Sequence, residues 1–270
     1  MTAGTVAPGT AVRTNRAHVV GDARTMAWRN LLNIRRNPQL LVFATIQPVI
    51  FVVMFRYVFG GAIQGSLPPG QTYVNYLMPG IFVQTIVFGA LTTGVGLADD
   101  LNKGLIDRFR SLPMARSAVL VGRTLADLVR NFFVVILMCV VGFIVGWTIG
   151  TGFLGLLGAI GIIIAFSYSL TWVFAIVGLS VKDAETAQAV SFPIMAPLVF
   201  ASSAFVPVAT MPSWLQGWAE HQPVSVVVNA ARTLTIGGPA THDVLVAVAW
   251  IVGIVAVCAP IAVYRYRKVT

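Results

Sequence analysis

The ionisable side chains that could carry chemistry are few, and most lie at the edges of long apolar segments or in loops between them. The acidic residues at these places are Asp99, Asp127, Asp183, Glu185 and Asp243. A proton or ion relay through a membrane normally needs ionisable residues inside the apolar segments, and Arg56 is the exception that lies there. The three histidines are far apart and show no helical pairing that would bind zinc. The sequence therefore indicates neither proton coupling through carboxylates nor a metal site.

Catalytic motifs do not occur in the sequence either. The P-loop pattern G-x-x-x-x-G-K-[ST], whose backbone cradles phosphates, is missing. Serine-based catalysis would need Ser, His and Asp aligned within the apolar segments, and they are not. Cys139 and Cys258 lie inside apolar segments, where a thiol is usually a small apolar filler, so we expect no disulfide. We expect no catalytic residue and no cofactor bound by this chain.

One charged segment, residues 99–130, combines helix periodicity with charges of both signs. Its apolar residues recur at intervals of four, four and three, which places them in one stripe of a helix: Leu101, Leu105, Phe109 and Leu112. The charged residues around the rest of that helix are Asp100, Lys103, Asp107, Arg108 and Arg110. A narrow stripe flanked by mixed charges favours docking in a groove of another protein. The alternative is an interfacial helix that lies on lipid.

The elements that must position these residues are long apolar helices. Of 270 residues, 57% are hydrophobic and 10% are charged, whereas about a quarter of the residues of soluble domains are charged. About 20 apolar residues are needed to cross roughly 30 Å of hydrocarbon. The segments that fit are 40–59, 76–98, 128–149, 153–181, 190–205 and 244–264, of which the fifth is the shortest. The sequence therefore predicts an all-α integral membrane protein with six transmembrane helices.

The basic residues set the orientation of these helices, because Lys and Arg near the ends of spans are retained on the cytoplasmic side. Of the 18 basic residues, all but Arg56 and Arg232 fall on one side of the predicted topology. Both termini are therefore predicted to be cytoplasmic. The net charge of +9 is explained by cations facing an anionic leaflet, and we expect no nucleic-acid partner.

The segment before the first span divides into two parts. Residues 1–21 are predicted to be a disordered cytoplasmic tail, and residues 22–39 an interfacial elbow helix that Asp22 caps and Pro38 stops. Trp28 favours the headgroup zone, and the alternative is a plain solvated helix. Residues 40–264 then form the membrane domain, with an inner helix over 99–127, and 265–270 a second cytoplasmic tail.

The outer segment before the last span, residues 206–243, is too long for a turn and too apolar for open water. Ser213 and Gln216 suggest a capping box, and Pro223 breaks the helix that follows. We therefore expect a pair of short helices that dip into the outer leaflet, where protein covers their free backbone groups.

Two stretches of this chain are similar to one known family. Residues 103–131, KGLIDRFRSLPMARSAVLVGRTLADLVRN, resemble the loop after the second span in type-2 permeases of ATP-binding-cassette (ABC) transporters. Residues 205–238, FVPVATMPSWLQGWAEHQPVSVVVNAARTLTIGG, resemble the element before the last span of the same family. The resemblance covers nearly the whole chain, and its nearest subgroup is the daunorubicin/doxorubicin-resistance permeases.

The resemblance implies a half-transporter in a bacterial plasma (inner) membrane. Two identical permease copies would work with two separate ABC ATPase subunits that hold ATP and magnesium. The complex would export hydrophobic or amphipathic molecules, drug-like or lipid-like, from the cytoplasm or the inner leaflet. The inner helix over 99–127 would be the coupling helix, seated in a cleft of the ATPase. The rival interpretations are a stand-alone channel or secondary carrier, and a membrane-embedded enzyme.

The resemblance also implies roles for particular residues. The ATPase contact would be carried by Leu101, Lys103, Gly104, Leu105, Asp107, Arg108 and Phe109. A second, smaller contact would come from Lys182, Asp183 and Glu185. The outer gate would be formed by Pro207, Met211, Pro212, Leu215, Pro223 and Arg232.

Aromatic and Met side chains make adaptable apolar walls, which suit a path for varied substrates and for membrane lipids. The predicted path residues are Phe51, Phe55, Arg56, Gln84, Phe192, Met195 and Phe200. For each of them the alternative is ordinary helix packing or lipid contact. Pro193 and Pro197 should interrupt the fifth span, as a hinge or as a tolerated kink.

Overall fold

The structure, a computed structural model, describes residues 38–103 and 116–269, with side chains over 45–103 and 122–268. All regular elements in these ranges are helices. The predicted disordered tail and nearly all of the elbow helix lie outside the described residues. Pro38, which was expected to stop the elbow, is the first residue of the next helix.

The first membrane-length element is built from three consecutive helical pieces. Helix α1, Pro38–Val53, continues into a π-helical segment, Met54–Phe59, and then into α2, Gly60–Gln64. The stretch Thr45–Gln64 within it is long and apolar enough to cross a membrane. Short π-helical segments within longer helices occur frequently at functional sites, and this one carries Phe55 and Arg56.

Within the described ranges, four further helices are long and apolar enough to cross a membrane. These are α3, Tyr73–Asn102; α4, Arg116–Val145; α5, Gly152–Gly178; and α9, Ala240–Val269. Helix α4 ends at Val145, four residues earlier than expected at 149, because Gly146 adopts a positive φ of 95°. The Gly146 and Trp147 amides donate to the Phe143 and Gly142 carbonyls, the Schellman pattern that closes a helix.

The predicted fifth span differs from the helix that is found there. Helix α6, Ala184–Phe200, has 17 residues, about 26 Å at the α-helical rise. The expected segment 190–205 is therefore wrong in its bounds: the helix begins earlier, and residues 201–205 form a turn. Pro193 and Pro197 lie inside α6, as expected from the sequence. Because α6 is shorter than roughly 30 Å of hydrocarbon, the count of six spans stays a prediction.

The segment between α6 and α9 contains two short helices, as expected. They are α7, Ser213–His221, and α8, Pro223–Ile236. The predicted capping box is wrong, because Pro212 stands at the cap position and Gln216 Nε2 instead donates to the Met211 carbonyl at 2.8 Å. Pro223 is the first residue of α8, where its missing N–H has no intrahelical partner to lose.

Helix α3 lies at the centre of the bundle and packs against α1, α4, α5, α6 and α8. Where α3 crosses α5, Gly94 and Gly178 let the two backbones meet. A Cβ atom at Gly94 would overlap the Phe174 carbonyl, and one at Gly178 would overlap the Gly94 carbonyl. Small residues at such a crossing allow the close approach on which helix association in membranes depends.

The bounds of the predicted coupling helix also need correction. Residues 99–102 continue α3, and residues 116–127 are the beginning of α4. A separate helix cannot therefore extend over 99–127. Residues 104–115, between the two long helices, lie outside the described residues.

Candidate functional site

The C-terminal end of α3 and the N-terminal end of α4 flank the segment predicted to contact an ATPase. Lys103 forms an ion pair with Asp99 at 2.7 Å on α3, and Asp100 forms one with Arg123, which joins α3 to α4. Leu101 packs against a buried cluster of the chain itself that includes Trp172. The remaining predicted contacts lie outside the described residues: Gly104, Leu105, Asp107, Arg108 and Phe109.

A second link between α3 and α4 lies deeper in the bundle. Arg130 Nη2 donates to the Gly89 carbonyl at 2.9 Å and to Thr92 Oγ1 at 2.8 Å. Its Nη1 lies 3.4 Å from Asp127 Oδ1. The guanidinium therefore carries its charge beside a carboxylate and connects two helices. Asp127 and Arg130 both lie in the charged segment 99–130, but the sequence pattern does not show that Arg130 forms hydrogen bonds to α3.

The predicted second contact lies around the start of α6, where Asp183 caps the helix. Asp183 Oδ1 accepts a hydrogen bond from the Thr186 amide at 2.7 Å, and its Oδ2 accepts one from the Thr186 hydroxyl at 3.0 Å. These bonds lower the pKa of Asp183 below its usual value, because they stabilise the carboxylate. Lys182 and Glu185 are exposed on either side, so the loop presents charges of both signs at a well-defined helix start.

Three of the predicted path residues form one aromatic cluster, which Phe205 completes. The Phe55 and Phe205 rings stack with centroids 4.6 Å apart, and Phe51 lies 6.0 to 6.2 Å from Phe55, Phe200 and Phe205. Phe205 was not among the predicted path residues. The turn at 201–205 brings it back toward α1, and no periodic pattern signals such a return.

The other predicted path residues do not join this cluster. Phe192 is 52% exposed on α6, and Met195 is fully buried in the main core. Arg56 is half-buried, with its guanidinium 5.4 Å from the centroid of the Tyr57 ring. Gln84 is 1% exposed and lines a separate cavity between α1, α3 and α4. The predicted path is therefore divided between at least two places.

Arg232, one of the predicted outer-gate residues, is buried and closes the turn after α6. Its Nε donates to the Tyr76 carbonyl at 2.9 Å, and its Nη2 donates to the Ser203 and Ala204 carbonyls at 2.5 and 3.1 Å. The guanidinium carbon lies 3.5 Å from the centroid of the Tyr76 ring. The Tyr73 hydroxyl donates to the Phe205 carbonyl at 3.0 Å. One side chain of α8 thus connects α3 to the turn that carries Phe205.

The other predicted gate residues lie around the start of α7 and α8. Pro207 precedes a single 3-10 turn, Val208–Thr210, and Met211 follows it. Pro212 and Pro223 bound α7, and Leu215 lies on it, half-buried. Within the described part of the chain, no group of three His, Cys, Asp or Glu side chains is placed to hold a metal ion.

Comparison with known proteins points to transport. The sequence matches the family described as ABC-2 type transporter over residues 22–235. The daunorubicin resistance ABC transporter permease protein DrrB1 of Streptomyces coeruleorubidus is 34% identical over 256 residues, 95% of this chain and 89% of that protein. A probable doxorubicin resistance ABC transporter permease protein, DrrC of Mycobacterium tuberculosis, is 25% identical over 248 residues, 91% of this chain and 89% of that protein. The putative transport permease ycf38 of Porphyra purpurea is 23% identical over 215 residues, 79% and 74% of the two chains.

Proposed function

This chain belongs to the ABC-2 type transporter family and is a multi-pass permease of an ABC exporter; on that premise we propose that it moves amphipathic, drug-like or lipid-like molecules out of the cytoplasm or the inner leaflet. The family implies an ABC ATPase as partner. In our proposal that separate subunit holds ATP and magnesium and hydrolyses the nucleotide, while this chain is not itself catalytic. The observation that carries the proposal is the 34% identity to a daunorubicin resistance permease over 95% of the chain.

We further propose two copies of this chain in a bacterial inner membrane, with both termini in the cytoplasm. The charge pattern supports this orientation, because the basic residues collect on one side of the spans. The chemical class of the cargo is supported by two of the relatives, which are named for resistance to daunorubicin and doxorubicin. Stacked rings of Phe51, Phe55, Phe200 and Phe205 suit planar aromatic molecules of that kind.

In this proposal the coupling segment is residues 104–115. The C-terminal end of α3 and the N-terminal end of α4 flank it and are called its two arms. The Asp100–Arg123 ion pair and the Arg130 bonds to Gly89 and Thr92 tie these arms together. A push on the segment would therefore move α3 and α4 as a unit, and α3 is the helix with neighbours on most sides. The bonds between the arms support a role in transmitting force from the ATPase to the bundle.

The test measures ATP turnover by the partner ATPase with and without this chain. Addition of the wild-type chain should change the rate. Phe109→Ala should weaken the coupling by about 1 to 3 kcal/mol, the range for an aromatic side chain that fills a pocket at an interface. Phe133→Ala is the matched control, because Phe133 is exposed on the apolar face of α4 and should leave coupling unchanged.

Two outcomes would contradict the proposal. If a well-assembled Phe109→Ala complex kept full coupling, the apolar stripe that contains Phe109 would not be the ATPase contact. Uphill transport by this chain reconstituted alone would favour a secondary carrier, since no ATPase would then be needed.

A further inference from the structure

A cavity of about 380 Å³ lies between α1, α3 and α4, apart from the aromatic cluster. Its α1 wall carries Gln47, two residues after the start of the apolar stretch Thr45–Gln64. Its α4 wall carries Arg130, eight residues after the start of Gly122–Val145. In the proposed orientation both positions lie within about 12 Å of the cytoplasmic ends of their spans. Because the lining residues Gln47 and Thr92 are exposed, a molecule of the inner leaflet can enter the cavity.

Two glutamine side chains bring unused hydrogen-bond donors to this cavity. The Gln47 amide is exposed and has no hydrogen-bond partner among the described residues. Gln84 is 1% exposed: its Oε1 is enclosed by protein, whereas its Nε2 borders the cavity and donates to no described residue. A buried donor without an acceptor costs free energy, which a bound acceptor recovers. Two amide groups on different helices therefore favour a ligand that accepts hydrogen bonds.

Arg130 adds further donors and a positive charge. Its Nη2 donates to the Gly89 carbonyl and to Thr92 Oγ1, and its Nη1 lies 3.4 Å from Asp127 Oδ1. A guanidinium has five N–H groups, so Nε and one hydrogen of Nη1 are left for a ligand while the bonds to α3 are kept. Asp127 balances the charge of Arg130 and would repel a second negative charge on the ligand. The wall therefore suits a group with several acceptor oxygens and a single negative charge.

The rest of the lining is compatible with such a ligand. The Thr85 hydroxyl donates to the Ile81 carbonyl at 2.7 Å, so its oxygen is left to accept. Asn131 Nδ2 donates to the Ser167 hydroxyl at 2.7 Å, which leaves Oδ1 as a second acceptor for a hydroxyl of the same ligand. The remaining wall is apolar and includes Phe88, Leu91 and Val134.

Apolar side chains continue from the cavity toward the centre of the membrane. Ile50 lies three residues after Gln47 on α1, and Phe133 three residues after Arg130 on α4, and both are exposed. Residues three apart share one face of a helix. The polar donors near the cytoplasmic side and the apolar faces beyond them match the order of headgroup and acyl chains in an inner-leaflet lipid.

We infer that this cavity holds the phosphodiester of an inner-leaflet phospholipid, which accepts hydrogen bonds from Gln47, Gln84 and Arg130. Its acyl chains lie along the exposed faces of α1 and α4. The lipid is a resident of the permease that bridges α1 to α4, and the inference rests on the proposed orientation of the spans. A free phosphate ion shares the acceptor oxygens, but its charge of about −1.5 to −2 at neutral pH suits a site beside Asp127 less well.

The experiment measures the binding of phosphatidylglycerol to the full chain in detergent by native mass spectrometry, without ATP or drug. Gln47→Leu and Gln84→Leu should each raise the Kd of the tightest-bound lipid by about tenfold. Each variant loses a donor to a charged phosphate and breaks no hydrogen bond among the described residues. Gln188→Leu is the matched control, because Gln188 is exposed near the start of α6 and does not line the cavity.

A third variant closes the cavity and leaves the three donors in place. Val134→Phe should fill the space from α4 and abolish the tight binding. Thermal unfolding of each variant checks the fold, and the exposed Gln47 keeps the inference testable if a buried substitution misfolds. Kd values equal to that of wild type in Gln47→Leu and in the folded cavity variants would overturn the inference.

Two competitors identify the ligand class. Glycerol 3-phosphate is a soluble phosphate monoester, and dioleoylglycerol has acyl chains without a phosphate; neither should displace phosphatidylglycerol from the wild-type chain at tenfold excess. Displacement by glycerol 3-phosphate would overturn the lipid as the source of the phosphate, and displacement by dioleoylglycerol would overturn phosphate recognition. The Phe109 test of ATPase coupling does not depend on this site, so a failure here and a failure of the proposed function are distinguishable.

Discussion

Arg232 shows how one side chain can hold an irregular turn inside an apolar bundle. Helix α6 ends at Phe200, so the carbonyl groups of Ser203 and Ala204 have no helical partner. Arg232 donates to both carbonyls, and non-helical backbone at membrane depth is tolerated only where protein satisfies it in this way. The sequence placed Arg232 at an outer gate. Its geometry supports a fixed clamp on the turn that carries Phe205.

Arg232→Lys should therefore destabilise the protein although the charge is kept. Lysine has no planar fork of donors, so it cannot reach Tyr76, Ser203 and Ala204 together. We expect a loss of about 3 kcal/mol, in the range for breaking a buried charged network, measured by denaturant or thermal unfolding in detergent. Arg265→Lys is the control, because Arg265 is exposed and donates a hydrogen bond to the Ser180 hydroxyl at the protein surface. Equal stability of the two variants would argue against the clamp.

At the scale of elements, the crossing of α3 and α5 determines how tightly the bundle closes. Helix α3 is largely buried along its length, and at Gly94 and Gly178 its backbone meets that of α5. On α5, Phe174 lies in the main buried core and Trp172 lies in a second buried cluster. Both clusters also contain residues of α3. Any side chain at the crossing has to push two long helices apart.

Gly94→Ala is expected to destabilise the fold by about 2 kcal/mol, because a methyl group there overlaps a backbone carbonyl that cannot move independently. The change in unfolding temperature measures the effect. Gly161→Ala on α5 is the matched control, since nothing lies within 4 Å of a Cβ atom at that position. A drop in stability for both variants alike would mean that general helix packing, and not this crossing, is responsible.

At the scale of the whole molecule, the six-span topology requires that α6 crosses the membrane. Its 17 residues are interrupted by Pro193 and Pro197 and followed by the clamped turn. If α6 crosses, α7 and α8 lie on the outer side as proposed. If it does not, the orientation of α9 and of the C-terminus is reversed, which conflicts with the basic residues at the end of α9.

Cysteines introduced one at a time at the proposed outer and inner positions should therefore be labelled from opposite faces of the membrane. Thr210→Cys, together with Ser66→Cys as the outer reference, should react with an impermeant maleimide in right-side-out vesicles. Lys182→Cys and Lys268→Cys should react in inside-out vesicles; all four positions are exposed. Wild type reports the background from Cys139 and Cys258. Labelling of Thr210→Cys and Lys182→Cys from one face would exclude six spans.

The sequence by itself determined the helices and the family, because both depend on local or linear information. A long apolar segment must satisfy its backbone internally, so it becomes a helix whatever surrounds it, and proline and glycine mark its ends. The resemblance to type-2 permeases was carried by stretches of chain and is confirmed by the family match over 22–235. The elbow and an ATPase contact in residues 104–115 stay predictions.

Only the tertiary structure decided which side chains meet. Phe205 joins Phe51 and Phe55 through an irregular turn, Gln84 lines a cavity beside α4, and Arg232 donates to the backbone of the turn after α6. A helix that is apolar on all sides carries no stripe to indicate which face turns toward which neighbour. That rotation is set by the close contacts between helices, which are a property of the packed bundle and not of any one segment.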